Sequence, residues 1–215
     1  MKGITFGSLH SYNDLQMLLI SKEIGSPEVK VKKIDIEGAD SSLDLTDYFG
    51  EAKYENLTHK FNFSTIVPQR DFLSMFSAVK NALHGKKMRI ILDDDPLFYY
   101  VGRIHVSSFT NDKRIGNITI EADCEPYKYK LAKTIASTAV DGTKTITLTN
   151  GRKRAVPEVR IQSTGTIRIE YQGSHIWDLG GGSYTLPELE LVEGANQVTL
   201  TGVGTVVFEW QEGDL

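Results

Sequence analysis

Clustered carboxylates are the first candidates for chemistry, and Asp93-Asp94-Asp95 ahead of Pro96 could supply hard oxygen ligands to a cation. A calcium loop of the EF type spaces its ligands alternately around a central glycine and ends in a distal glutamate; this run has neither. Adjacent acids before proline read instead as a solvated turn. The five histidines, His10, His59, His84, His105 and His175, include no i,i+4 zinc pair. Cys124 is the single cysteine, so there is neither a Cys-x-x-Cys motif nor an intrachain disulfide. Nucleophile signatures are missing too, with no Gly-x-Ser-x-Gly elbow and no Ser-x-x-Lys set. His84-Gly85-Lys86-Lys87 lacks the upstream glycine of a phosphate loop and follows a helical segment rather than opening one. These residues lead us to expect no catalytic centre, no metal and no cofactor.

Two groups remain as binding candidates. Arg152-Lys153-Arg154 stands beside an expected Asn150-Gly151 turn, where it reads as a solvated hairpin end or as a contact for an acidic neighbouring subunit. Tyr171, Trp177 and Tyr184, with Trp210, offer rings for a sugar-stacking platform, although strand alternation places some of them in a core.

The elements that must position these residues are mostly strands. Short period-2 stretches occur at 29–36, 60–63, 88–92, 99–106 and 116–122, each expected to lay an apolar face on a core. The acid triplet at 93–95 falls between two of them as a hairpin connection. Residues 68–84 break the pattern, because Phe72, Phe76, Val79 and Leu83 recur at helical spacing with Leu73 widening the stripe. Pro68 suits a first turn, Asp71 an electropositive helix start, and Gly85 a left-handed cap. One amphipathic helix packed on a sheet is the expectation.

Texture changes near residue 129. Beyond it, turn signals recur every eight to twelve residues or so, at Asp141-Gly142, Asn150-Gly151, Gly165, Gly173, Gly180 to Gly182, Gly194 and Gly202. Strands are expected between them at 145–148, 158–161, 166–171, 185–192, 197–200 and 205–210, which suggests a jelly-roll β-sandwich. The chain therefore divides into domains at 1–128 and 129–215, both mainly β. Charge also segregates: residues 128–154 hold seven Lys/Arg and one acid, whereas 188–215 hold six acids and no Lys/Arg. We expect these stretches to meet between subunits or partners.

Composition limits the function classes. Hydrophobic residues make up 40% and charged residues 24% of 215, the profile of a folded globular protein. A net charge of −4 argues against a general grip on nucleic acid or anionic lipid. The N-terminal residues show no apolar signal-peptide region, and the early run Met17-Leu18-Leu19-Ile20 falls far short of the ~20 apolar residues that span a bilayer. Folding in a reducing cytoplasm, without a membrane anchor, is the expectation.

Read in order, several segments resemble the distal tail proteins of long, non-contractile-tailed bacteriophages. These are Gly3-Ile-Thr-Phe-Gly-Ser-Leu-His10; Val31-Lys-Lys-Ile-Asp-Ile-Glu-Gly-Ala-Asp40 followed by Leu43-Asp-Leu-Thr46; Tyr54-Glu-Asn56 leading into Phe61-Asn-Phe63 and the helix; and Leu83-His-Gly-Lys86. The acid triplet with Tyr99-Tyr-Val-Gly-Arg103, and Ile118 through Cys124-Glu-Pro-Tyr-Lys128, complete the set. Glu37 stands where the family commonly has proline, and Ala39 and Ser41 alter the loop that follows. The aromatic strand Val206-Val-Phe-Glu-Trp210 is similar to the close of the family's galectin-like domain.

The resemblance implies a structural protein rather than an enzyme. It implies an N-terminal β-rich domain that forms a homohexameric ring and a C-terminal galectin-like sandwich that projects outward. The ring would be a baseplate or tail-tip hub of a phage or prophage, joining the tail tube and tape-measure end to the tail-tip protein and receptor-binding proteins. It would lie in the virion tail tip after assembly in the host cytoplasm. A carbohydrate-binding β-sandwich module for host attachment is the alternative.

Overall fold

The computed structural model describes residues 2–48, 50–112 and 115–215. The chain is mainly β and splits into two compact units, one running to Lys128 with Leu215 added, the other Tyr129–Asp214. The first unit contains β1 (Ile4–Phe6), β2 (Leu9–His10), β3 (Met17–Glu23), β4 (Lys33–Ile34), β5 (Leu43–Asp44) and β6 (Leu57–Thr65). After the helix α1 (Phe72–Leu83) come β7 (Lys87–Leu92), β8 (Phe98–Asp112) and β9 (Ile115–Cys124). Its antiparallel sheet runs β2-β1-β7-β8-β9-β6-β3. Since β6 and β7 are separated in that order by β9 and β8, the connection through α1 has to pass over the sheet, and its apolar stripe is buried there.

Alternation explains the core. On β6, Leu57, His59, Phe61 and Phe63 point inward, and on β9 Ile118, Ile120, Ala122 and Cys124 do the same, in a register that pairs Phe61 with Ile120. Phe6 meets Phe61 and Phe63 edge-on, with centroids 6.0 and 6.2 Å apart. The helix contributes Phe72, Met75, Val79 and Leu83, while Phe76 stacks on Phe109 at 5.0 Å. Leu73 does not widen this stripe: it is 71% exposed, because the buried face rotates through Met75 instead. A 3-10 turn over Gln69–Asp71 precedes the helix, and Gly85 takes the left-handed conformation with φ 78°, as expected of the cap.

One strand expectation is corrected. Residues 29–36 have the same period-2 pattern as 60–63, yet Val29, Val31, Ile34 and Ile36 are all exposed. Only Lys33–Ile34 forms a strand there, pairing β5 in a sheet of two strands.

The second unit holds β10 (Lys128–Lys130), shared with the first at Lys128, then β11 (Thr134–Asn150), β12 (Glu158–Gln162), β13 (Ile167–Tyr171) and β14 (His175–Leu179). It closes with β15 (Gly182–Thr185), β16 (Gly194–Trp210) and β17 (Gly213–Asp214), the last paired with β10. Its organiser is the antiparallel ribbon of β11 and β16, which is unbroken from Thr134↔Trp210 to Asn150↔Gly194. One half of β16 also pairs β13, which pairs β14; the other half pairs β12, which pairs β15. Residues from both halves, among them Leu148, Ile169, Leu200, Val159, Val206 and Phe208, belong to one core cluster, so the ribbon folds over upon itself. Gly202 and Gly204 sit where it does so: a Cβ on either would lie 2.7 or 2.6 Å from the carbonyl oxygens of Thr166 and Gln162.

Two further expectations change here. Asp141-Gly142 and Gly202 are not turns but facing positions inside the long ribbon. Residues 186–192 are not a strand but a loop that buries Leu186, Leu189 and Leu191. Asn196 holds that loop: its side chain donates to the carbonyls of Val192 and Gly194 and accepts from the Val192 N–H at 2.9 Å. Asn150 adds a bond to the Leu191 carbonyl at 3.1 Å. Polar side chains thus replace the sheet ladder for this backbone.

Candidate assembly surfaces

The acid triplet forms the β7–β8 turn, as expected, with its three side chains 30%, 36% and 35% exposed and each carboxylate engaged. Asp93 accepts from the Gly3 N–H at 2.7 Å and lies 3.1 Å from His10 Nε2; Asp94 pairs with Lys22; Asp95 pairs with Lys128 at 3.1 Å. Three adjacent carboxylates therefore tie the β7–β8 turn to the N-terminal strand, to β3 and to the end of the unit. Burial opposes the charge on Asp93, but the bonds from His10 and Gly3 outweigh it and hold the carboxyl below its ordinary range. Among the described residues no group of three His, Cys, Asp or Glu side chains gathers as a metal site, and no helix is long and apolar enough to cross a membrane.

Two buried titratable groups belong to the core. His59 is wholly buried; its Nδ1 accepts from the Gly25 N–H at 3.2 Å and its ring meets Tyr100 edge-on at 4.4 Å. Burial lowers its pKa from 6.5 to about 4, so the imidazole is neutral at neutral pH. Cys124 is buried against Gly102, and burial pushes its thiol up to about 12. An un-ionised, enclosed thiol is a packing group rather than a nucleophile.

Arg152, Lys153 and Arg154 are brought together, and each meets a partner within the same unit. Arg152 pairs with Glu193 at 2.6 Å and Arg154 with Glu190 at 2.8 Å, while Lys153 donates to the Tyr129 hydroxyl at 2.6 Å and lies 4.4 Å above that ring. At the far end of the ribbon Lys130 pairs with Glu212 at 2.7 Å and Lys133 with Glu209 at 2.8 Å. Within the unit the basic and acidic stretches therefore already meet each other. Antiparallel pairing of β11 with β16 sets the start of one stretch against the end of the other.

The three aromatic candidates do not form one platform. Tyr171 is 2% exposed, with its hydroxyl donating to the Glu190 carbonyl at 2.8 Å and lying 3.0 Å from Asn196 Oδ1, so no ring face is left for a sugar. Trp177 lies on β14 and Tyr184 on β15, strands at opposite ends of the sheet order; both are partly buried against the core. Trp177 stacks with His175, and the Tyr184 hydroxyl donates to the Gly180 carbonyl at 3.1 Å.

What the first unit does expose is an apolar arm. Between β3 and β6 the chain leaves the sheet and returns along itself, through the Val29↔Tyr54 bridge and the β4–β5 pair. Backbone bonds of Lys30 N–H to Lys53 O at 2.7 Å, Glu55 N–H to Glu28 O at 2.8 Å and Leu45 N–H to Lys32 O at 2.8 Å hold it in register. Val31 is 62% exposed and Tyr48 73%, with Val29, Ile34, Ile36 and Leu43 open as well. Apolar side chains gathered in this way, rather than scattered singly, mark an interaction surface. The residues were legible as a β pattern; their exposure was not, since it depends on what fails to pack over them.

No family model matches the sequence, and no curated protein matches it. The fold is nevertheless that of a phage distal tail protein. The solved structure it is similar to is that of SPP1 Dit (gp 19.1), described as a paradigm of the hub adsorption apparatus in phages that infect Gram-positive bacteria. The likeness has a TM-score of 0.73 and covers 100% of both chains at 14% sequence identity. At that identity the likeness is one of fold, and at that level it agrees with the resemblance carried by the N-terminal motifs.

Proposed function

We propose that the chain is a structural hub subunit of a phage or prophage tail tip. In this reading the N-terminal unit closes into a hexameric ring that joins the tail tube and tape-measure end to the tail-tip protein and to receptor-binding proteins. The C-terminal unit projects from that ring, and the subunit works in the virion after assembly in the host cytoplasm. The observation that carries the reading is the likeness to SPP1 Dit over the full length of both chains, which matches the order of both units and not just one common domain. The exposed apolar arm supports self-association, because a surface of that kind is stabilised by a covering neighbour. In a closed ring every copy gives and receives the same contact, so modest pairwise contacts add up to a stable assembly.

Solution mass by light scattering behind a sizing column, with negative-stain images of the peak, tests the reading. Six copies of 24.0 kDa, 144 kDa, seen as a ring with a central hole is the expected result. A 24.0 kDa species that stays monomeric even when co-expressed with the adjacent tail proteins would overturn it.

A further inference from the structure

The arm between β3 and β6 leaves the body of the first unit at Gly25, and that root is built on His59. The β3–β6 ladder ends at Glu23↔Lys60; two residues on, the Gly25 N–H donates to His59 Nδ1 at 3.2 Å. A side chain of β6 thus accepts where the ladder has run out. Gly25 approaches β6 so closely that a Cβ there would stand 2.6 Å from the Thr58 carbonyl oxygen. An accepting Nδ1 puts the proton of the neutral imidazole on Nε2. That nitrogen is buried and has no hydrogen-bond partner among the described residues.

His59 therefore makes one bond to the arm and leaves one buried donor unmet. An unmet buried donor costs at least as much as one ordinary hydrogen bond contributes, so the closed root is held by a narrow margin. Opening it brings water to the Gly25 N–H and to Nε2 together. Beyond the root the arm keeps its own register through the Val29↔Tyr54 bridge and the β4–β5 pair, and Tyr54 meets Tyr127 edge-on at 5.9 Å on the returning side. The arm can thus move as a piece, and the angle at its root decides where Val31, Ile34 and Tyr48 are presented.

We propose that His59 is the latch of this arm: while Nδ1 accepts, it holds the Gly25 root closed on β6, and once protonated it can only donate, so the root opens while the sheet stays folded. The latch acts within one chain and does not depend on the ring reading. Linkage fixes its direction. In the closed root burial lowers the His59 pKa from 6.5 to about 4, and a ring reached by water returns toward the ordinary value. The open root therefore binds the proton more readily, and each unit of acidification between about 6.5 and about 4 favours opening about tenfold. Neighbouring groups do not compete in this range. Tyr100 of β8 and Cys124 of β9, on the inward side with His59, have their pKa values raised by burial and stay neutral. Lys128 and Asp95, beyond Tyr100, pair with each other at 3.1 Å, Lys60 and Glu121 lie on the opposite face of the sheet, and Glu23 and Glu28 beside the root are exposed.

Amide hydrogen exchange on the full chain, corrected for the pH dependence of the intrinsic rate, tests the latch. The Gly25 amide should be protected at pH 7, at least tenfold less than Ile120 in the middle of the sheet, and its protection should fall about tenfold per unit on acidification. His59→Asn keeps an acceptor near the Nδ1 position without titrating there, so Gly25 should stay protected into the acid range. His59→Leu should remove that protection at every pH while Ile120 remains protected. Gly25→Ala, which cannot close against Thr58, should move the His59 titration, followed by imidazole NMR, from about 4 toward 6.5. A Gly25 amide as protected as Ile120 overturns the proposal, because the root then opens only with the whole fold. Protection of Gly25 that falls as steeply with acid in His59→Asn as in the wild type overturns it as well.

Discussion

At the scale of single residues, the buried titratable groups set how the protein responds to solution conditions. His59 binds its proton near pH 4 when folded but near 6.5 when unfolded, so from 6.5 downward the unfolded chain holds the extra proton. Stability therefore falls as pH drops through this window, by about 3 kcal/mol at its lower end if ~1.4 kcal/mol accompanies each unit. Urea unfolding from pH 7 to 4.5 should show this slope, and His59→Leu should flatten it relative to wild type. The same substitution lowers stability at pH 7, because the Gly25 N–H loses its acceptor. Cys124 gives a second check. Its thiol should stay silent to a disulfide reagent in native protein and react fully in denaturant; rapid labelling of the native chain would contradict its place in the core.

At the scale of elements, the β11–β16 ribbon is where one atom matters most. Gly204→Ala would place a Cβ 2.6 Å from the Gln162 carbonyl oxygen, so backbone must move, and we expect about 1–3 kcal/mol of destabilisation by denaturant unfolding. Gly165→Ala, with open space around its Cβ, is the control and should change little. Helix α1 was legible in advance from Phe72, Phe76, Val79 and Leu83, since a 3.6-residue period is written locally. The side of the stripe was not: Met75 is inside and Leu73 outside, a choice made by the angle at which the helix meets β8 and Phe109. Likewise the glycine at 142 is a turn signal in the sequence and a strand position in the fold, because a partner strand continues opposite it.

At the scale of the whole molecule, the chain combines a fold shared over its full length with SPP1 Dit and a sequence that is 14% identical to it. Arg152, Lys153 and Arg154 meet Glu193, Tyr129 and Glu190 within their own unit, so reversing their charges should lower the stability of that unit in denaturant unfolding.

The sequence by itself determined what is local: a β-rich chain, one amphipathic helix ending at Gly85, and a change of texture near residue 129. The ordered N-terminal motifs also pointed to the fold that the structure shares with a phage hub protein. Only the tertiary structure decided which apolar strands are covered. Residues 29–36 and 60–63 share a period, yet one lies open on an arm and the other turns Phe61 and Phe63 into the core, because burial depends on surfaces supplied from far along the chain. It also decided who neutralises whom. Asp93, Asp94 and Asp95 find Gly3 and His10, Lys22 and Lys128, and the basic stretch finds its acids across β11 and β16. Charge is visible in a sequence, but the few ångströms over which it acts are set by strand register.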